Sequence, residues 1–358
     1  MGIIGKFLRG IWRGLDGLRR ALQLVLMLAL LALVIGAMRK SLPHLPHEGA
    51  LVIEPAGRLV EQLSGDPVQR AFDEASGQGE PETLLWDVTE AIHAAASDKR
   101  VKLLVLQLDN LQGASQPALE EVARELKGFR AAGKQVIARG NGLTQAQYYL
   151  AAHADQIWLD PMGMVLIDGY ARYGNYYKGA LDKLSIDMHV FRVGRYKSAV
   201  EPFLRNDMSA DDREEARAYL DGLWQGYLES VAAARGITPA AIKAYAEGFA
   251  QAVEGAQGDA AKLALDSGLV SELVDEAGAE RKLVELVGED ADGDGYRAMS
   301  LDDYLAVHKA ERQLHKAPKG KDRIEVIVAS GEILDGEQAP GSVGGLTAAH
   351  LLRDARRD

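Results

Sequence analysis

Few residues in this chain stand in patterns that carry chemistry. Its 358 residues include eight histidines and no cysteine. The absence of thiols excludes disulfides, thiolate zinc sites, iron–sulfur clusters and a cysteine nucleophile. The histidines are scattered, with no ligand pair on one helix face and no nucleophile elbow or Ser-His pattern beside them. His44 and His47 lie in a proline-containing stem without a third ligand nearby, which reads as solvated linker. Gly140-Asn141-Gly142 lacks the third glycine and the following basic residue of a phosphate loop. Asp290, Asp292, Asp294 and Gly295 imitate the opening of a calcium loop, but Leu301 occupies the position of the required bidentate glutamate, so an acidic turn is the reading. What is left is Val190 to Pro202, an apolar strand that breaks at Gly194 into a loop holding Lys197. A lysine serves as a general base only when neutral at about pH 7–8. That demands desolvation or nearby positive charge, for which Arg192 and Arg195 are close in sequence. On residue chemistry alone, a solvated or salt-bridged surface lysine is the ordinary reading of Lys197.

The elements that would position this loop alternate in type. Ala50 to Ile53 reads as a buried strand, and Thr83 to Ser97 carries apolar residues at helical spacing. Val101 to Leu108 reads as a strand, Pro117 to Ala132 as a helix and Gln135 to Ala138 as a strand; Gln145 to Ala152 is a helix and Gln156 to Leu159 a strand. Such alternation predicts an α/β fold whose mostly parallel sheet is covered on both faces. Ser209-Ala210-Asp211-Asp212 opens a long helix with an apolar, aromatic stripe that includes Tyr219, Trp224, Tyr227 and Val231, read as packing against core or a neighbouring subunit. Further helices are expected over Pro239 to Gly248 and Gly258 to Ser267.

Charge divides the chain. The net value of −11 gives no reason to expect nucleic acid as a partner. Yet residues 1–40 hold seven basic residues against Asp16 alone, a balance of +6 that leaves −17 for the rest. Between those charges residues 21–38 are apolar except for Gln23. As a helix they would be about 27 Å long, against roughly 30 Å of hydrocarbon core. The expectation is a transmembrane anchor at 21–38, with the basic segment 1–20 cytoplasmic and the body exported, periplasmic in a bacterium. A cleaved export signal competes, but the apolar run is long for one and Arg39-Lys40 follow directly. Residues 39–49 form a stem, 50–287 a first domain and 288–321, rich in Asp, Gly and Lys, a linker.

Residues 51–60 and 326–335 resemble each other as an apolar strand running into a glycine turn, and a helix follows each. A strand and a helix cannot bury a core alone, so residues 322–358 are expected to begin a second, incomplete copy of the domain.

At this point particular stretches become informative: Gln147-Tyr148-Tyr149-Leu150-Ala151, Tyr176-Tyr177-Lys178, His189 to Pro202, the helix start at Met208-Ser209, and Gly331 to Glu337. Through them the chain resembles the N-terminal portion of the signal peptide peptidase A (protease IV) family in its long form. The resemblance implies two tandem ClpP/crotonase-like domains behind one membrane anchor in the bacterial inner membrane. It also implies serine-peptidase cleavage of remnant signal peptides by a Ser/Lys dyad, no cofactor, and a homo-oligomer, specifically a tetramer. Lys197 matches the family's lysine. The family's serine belongs to the second copy, so it would lie beyond Asp358 and this chain alone would be inactive. Gln145 stands where a nucleophile would be in the first copy, and Asn110 to Ser115 keeps one glycine, Gly113, where the active copy has oxyanion-stabilising glycines. Ser198, Thr144 and Ser115 are weaker nucleophile candidates, read as structural hydroxyls. Two rivals accompany this reading: a non-catalytic ClpP/crotonase-like oligomerisation or scaffold module, and a crotonase-type acyl-CoA enzyme, which fits neither the anchor nor the missing glycines.

Overall fold

The computed structural model describes residues 19–20, 22–29, 42–314 and 324–357, and the chain divides into two units, Met1–His44 and Leu45–Asp358. In the first unit residues 22–29 are helical, and Leu22, Leu24, Val25, Leu26, Met27 and Leu28 are all exposed. Eight residues of helix cover about 12 Å. Among the described residues no helix is long and apolar enough to cross a membrane, so the structure lends the expected 21–38 span no support. Ala21 and residues 30–38 of that span lie outside the described residues.

The second unit is built on a six-stranded sheet in the order β8-β7-β6-β4-β1-β9, with every pairing parallel. The strands are β1 (Gly49–Ile53), β4 (Val101–Gln107), β6 (Gln135–Gly140), β7 (Gln156–Leu159), β8 (Glu272–Leu273) and β9 (Ala298–Ser300). Register pairs Leu51 with Leu104, Val105 with Ile137 and Ala138 with Ile157. Because successive side chains leave a strand on opposite faces, the apolar runs feed two cores. Leu51, Leu104, Leu106, Val136, Ala138, Ile157 and Leu159 join the larger one, with helices Leu85–Ser97, Gln116–Ala131 and Gln145–Ala152. Ala50, Leu103, Val105, Ile137 and Trp158 face the other way, against Ala279, Leu283 and Val287 of helix Glu276–Val287. The α/β reading with both faces covered is thus borne out.

Three shorter strands, β2 (Gly57–Val60), β3 (Glu82–Leu84) and β5 (Leu111–Ala114), make a second parallel sheet in the order β3-β2-β5. Gly57 is needed there: its φ is +66° and an added Cβ would fall 1.7 Å from the Pro81 carbonyl oxygen.

The stretch expected as a linker, 288–321, differs in the structure. It supplies edge strand β9 beside β1 and helix Leu301–Leu314, and Met299, Tyr304 and Leu305 are buried in the main core. The Ser300 Oγ accepts from the Asp303 N–H at 3.1 Å and donates to its carboxylate at 2.8 Å, which starts the helix. Charged neighbours had masked an apolar Leu301, Tyr304, Leu305, His308 spacing that fits a helix face. Arg100 then links Asp98 at 2.7 Å with Glu311 at 2.9 Å, and Lys309 pairs with Asp87 at 2.7 Å. Only residues 315–321 of that stretch lie outside the described residues.

At the end of the chain, β10 (Glu332–Leu334) and β11 (Ser342–Gly344) pair in parallel with each other alone among the described residues, and helix Gly345–Ala355 buries no side chain.

Candidate functional site

Lys197 sits between an extended segment and the short helix Glu201–Leu204. Gly194 makes the turn possible, with φ +115° and room for the lysine stem, since a Cβ there would meet the Lys197 Cγ at 3.2 Å. The Arg192 guanidinium donates to the Lys197 carbonyl at 2.6 Å and lies 3.8 Å from the buried carboxylate of Glu201. Glu201 in turn accepts from the Ser209 N–H at 3.1 Å, where helix Ala210–Arg235 begins. Arg195 grips the first turn of that helix through Asp211 at 2.8 Å and Glu214 at 3.0 Å, and holds the Asp211 carboxyl below the usual carboxylate range. The loop is therefore fastened by its arginines and not by its lysine.

The Lys197 side chain is exposed and makes no hydrogen bond or ion pair among the described residues. Both arginines expected to supply neighbouring positive charge are engaged with carboxylates. The apolar cover that a general-base lysine requires is thus not contributed by the described part of this chain. Around it runs a bare apolar arm. Tyr173 is 93% exposed, Phe191 98% and Val193 91%, and helix Lys178–Lys183 buries no residue.

Gln145 is an anchoring group. Its amide nitrogen donates to the Gly169 carbonyl at 3.2 Å and its amide oxygen accepts from the Gly169 N–H at 2.7 Å. This two-point clamp ties the start of helix Gln145–Ala152 to the loop at Gly169. Buried Gln147 binds the Thr144 N–H at 2.8 Å and the Leu111 carbonyl at 2.8 Å, joining this helix start to β5. Ser115 caps helix Gln116–Ala131 by accepting from the Ala118 N–H at 3.3 Å. Gly113 lies within β5 itself. Around Ser198 the backbone is used for a turn, with its carbonyl accepting from the Glu201 N–H at 2.9 Å.

A Ser-His contact that the sequence did not disclose joins His153 to Ser230 at 3.3 Å. The Tyr149 carbonyl lies 2.8 Å from the His153 Nδ1, and the Tyr149 hydroxyl 2.8 Å from the Ser230 Oγ. Burial keeps the His153 imidazole below its ordinary range. Spaced 77 residues apart, the pair has no sequence signature. With Tyr227 tilted against Tyr149 at 5.7 Å, it forms the polar seam of the aromatic packing expected for the long helix. The acidic turn reads likewise: the Asp290 carboxylate accepts from the N–H groups of Gly293 at 2.7 Å and Asp294 at 3.0 Å. Among the described residues no group of three or more His, Asp or Glu is placed to hold a metal.

These features define an α/β protein with a parallel sheet, an exposed lysine on an uncovered arm and a Gln145 amide clamped to the Gly169 backbone. Residues 128–284, which contain that loop, match Peptidase family S49. It is 38% identical to Protease 4 of Salmonella typhi over 363 residues, and 35% identical to Protease 4 of Haemophilus influenzae over 360. Each alignment takes in 99% of this chain, which spans 57% and 58% of those relatives' lengths. Among solved structures, a 1510-N membrane-bound stomatin-specific protease is 14% identical with a TM-score of 0.33, covering 72% of this chain and 95% of that one.

Proposed function

We propose that the chain is the lysine-bearing part of a membrane-anchored serine endopeptidase of the signal peptide peptidase A type, acting on remnant signal peptides. The carrying observation is the exposed Lys197 on an uncovered apolar arm, inside the residues that match Peptidase family S49. A second ClpP/crotonase-like copy covers that arm, excludes water from Lys197 and brings a serine to it. The neutral Lys197 amine takes the serine hydroxyl proton as the oxygen bonds to the scissile carbonyl carbon. The ammonium returns that proton to the departing amine as the peptide C–N bond breaks. Water, deprotonated by the same lysine, then releases the acid from the acyl-serine. Gln145 cannot attack a carbonyl, which supports the assignment of the nucleophile to another segment. The exposed apolar helix 22–29, within the apolar run 21–38 and behind a basic flank, supports an anchor in the bacterial inner membrane with the body periplasmic.

The test compares this chain with a longer polypeptide that includes the second copy. The longer form cleaves an apolar peptide, Lys197→Arg abolishes turnover because arginine stays charged, and residues 1–358 alone are inactive. Near-native cleavage by Lys197→Arg refutes the assignment. The arm also favours a second reading, a homo-oligomerising scaffold without catalysis. That reading predicts that the longer form assembles yet cleaves nothing.

A further inference from the structure

Apart from the Lys197 loop, one cavity joins three independent features. It has a volume of about 250 Å³ and is lined by Asp168, Gly169, Tyr170, Leu220, Asp221, Trp224, Ala246 and Glu247. The first feature is an aromatic wall. Tyr227 stacks on Trp224 at 5.5 Å and 14°, which fixes the indole, and Tyr170 meets it edge-on at 6.3 Å and 77°. Tyr170 is itself held by its hydroxyl, which donates to the Gln116 side chain at 2.8 Å. Aromatic rings carry negative potential on their faces and positive potential at their edges.

The second feature is charge. Three carboxylates lie around the wall and no Lys or Arg lines the cavity. Asp168 and Asp221 have no hydrogen-bond or ion-pair partner among the described residues, and Glu247 has only Lys243, at 3.7 Å along its own helix. The third feature is location. Asp168 and Tyr170 flank Gly169, whose backbone is clamped by the Gln145 amide, so one wall of the cavity is fixed in place. An anion would be repelled here, and a neutral apolar group would gain nothing from the three exposed carboxylates. A cationic head on an aliphatic stem satisfies both walls, by contact with the rings and attraction to the carboxylates.

We propose that this cavity binds an organic cation, an ammonium or guanidinium group, at a site separate from Lys197. The inference does not rest on the peptidase reading, because the cavity needs neither the lysine nor a serine.

Full chain in detergent micelles is titrated with acetyl-Ala-Lys-Ala-amide, with the norleucine analogue and with tetramethylammonium, followed by tryptophan fluorescence and calorimetry. The lysine peptide is expected to bind saturably and the norleucine analogue at least about tenfold more weakly. Asp168→Asn with Asp221→Asn should weaken binding by at least about threefold, as should Trp224→Leu. High salt should weaken it further. Competition by tetramethylammonium identifies a site for free cations, and peptide binding without such competition identifies a basic side chain as the occupant. Circular dichroism confirms that each variant is folded, and Lys197→Arg should leave binding unchanged. Equal binding of the norleucine analogue, unchanged affinity in the double Asn variant, or no saturable binding up to about 10 mM overturns the proposal.

Discussion

If residues 298–314 belong to the first domain's core, Tyr304 should be among the costliest positions in the molecule to truncate. Its ring is fully buried and stacks on His308 with centroids 6.1 Å apart at 4°. Its hydroxyl donates to the Asp98 carboxylate at 3.1 Å. Tyr304→Phe keeps the ring and removes that one bond. Asp98 still receives Arg100 at 2.7 Å, so the loss should be about 0.5–1.5 kcal/mol. Tyr304→Ala removes the ring as well and leaves a cavity between two helices, for about 3–5 kcal/mol. Urea unfolding of the intact chain in micelles measures both, and amide hydrogen exchange reports whether helices Leu85–Ser97 and Leu301–Leu314 lose protection together. The variants should share the wild-type m-value and differ in midpoint. A Tyr304→Ala loss below about 1 kcal/mol, or helix Leu301–Leu314 exchanging freely while Leu85–Ser97 stays protected, would refute the reasoning and restore the linker.

Other outcomes follow from the same geometry. Burial holds His153 neutral in the folded state while the unfolded chain takes up a proton near its ordinary 6.5. Stability from this site is therefore complete above about pH 6.5 and declines as pH falls toward the lower folded pKa, by up to about 1.4 kcal/mol per pH unit, a slope that His153→Gln should flatten in urea titrations. Gln145→Ser should create no peptidase activity in residues 1–358 and should cost about 1–3 kcal/mol, because both Gly169 backbone groups lose their partner; serine-inhibitor labelling at residue 145 would contradict it. Gly194→Ala forces an unfavourable φ and presses on the Lys197 stem, so in the longer polypeptide it should lower peptide cleavage at least about tenfold without changing the fold by circular dichroism.

Periodicity in the sequence was enough for the parallel sheet and its covering helices, since runs such as Val101 to Leu108 and the apolar spacing of Thr83 to Ser97 are local signals. Helix Gln145–Ala152 matches the expected bounds. Lys197 was singled out by residue type and resemblance, for Gly194 and its basic neighbours are contiguous in the chain. The linker assignment failed because composition outweighed periodicity: Asp, Lys and Glu on the exposed side of helix Leu301–Leu314 hid the face that carries Tyr304 and Leu305. Partners far apart in sequence were decided by tertiary structure alone. Arg192 and Arg195 read as a source of positive charge, but the fold sets Glu201, Asp211 and Glu214 against them. Gln145 was recognisable as a non-nucleophile, while its clamp on Gly169, 24 residues away, required the loop to return. The aromatic cavity beside that clamp has the same origin: Tyr170, Trp224 and Glu247 come from three separate segments, and only packing sets their rings and charges around one space.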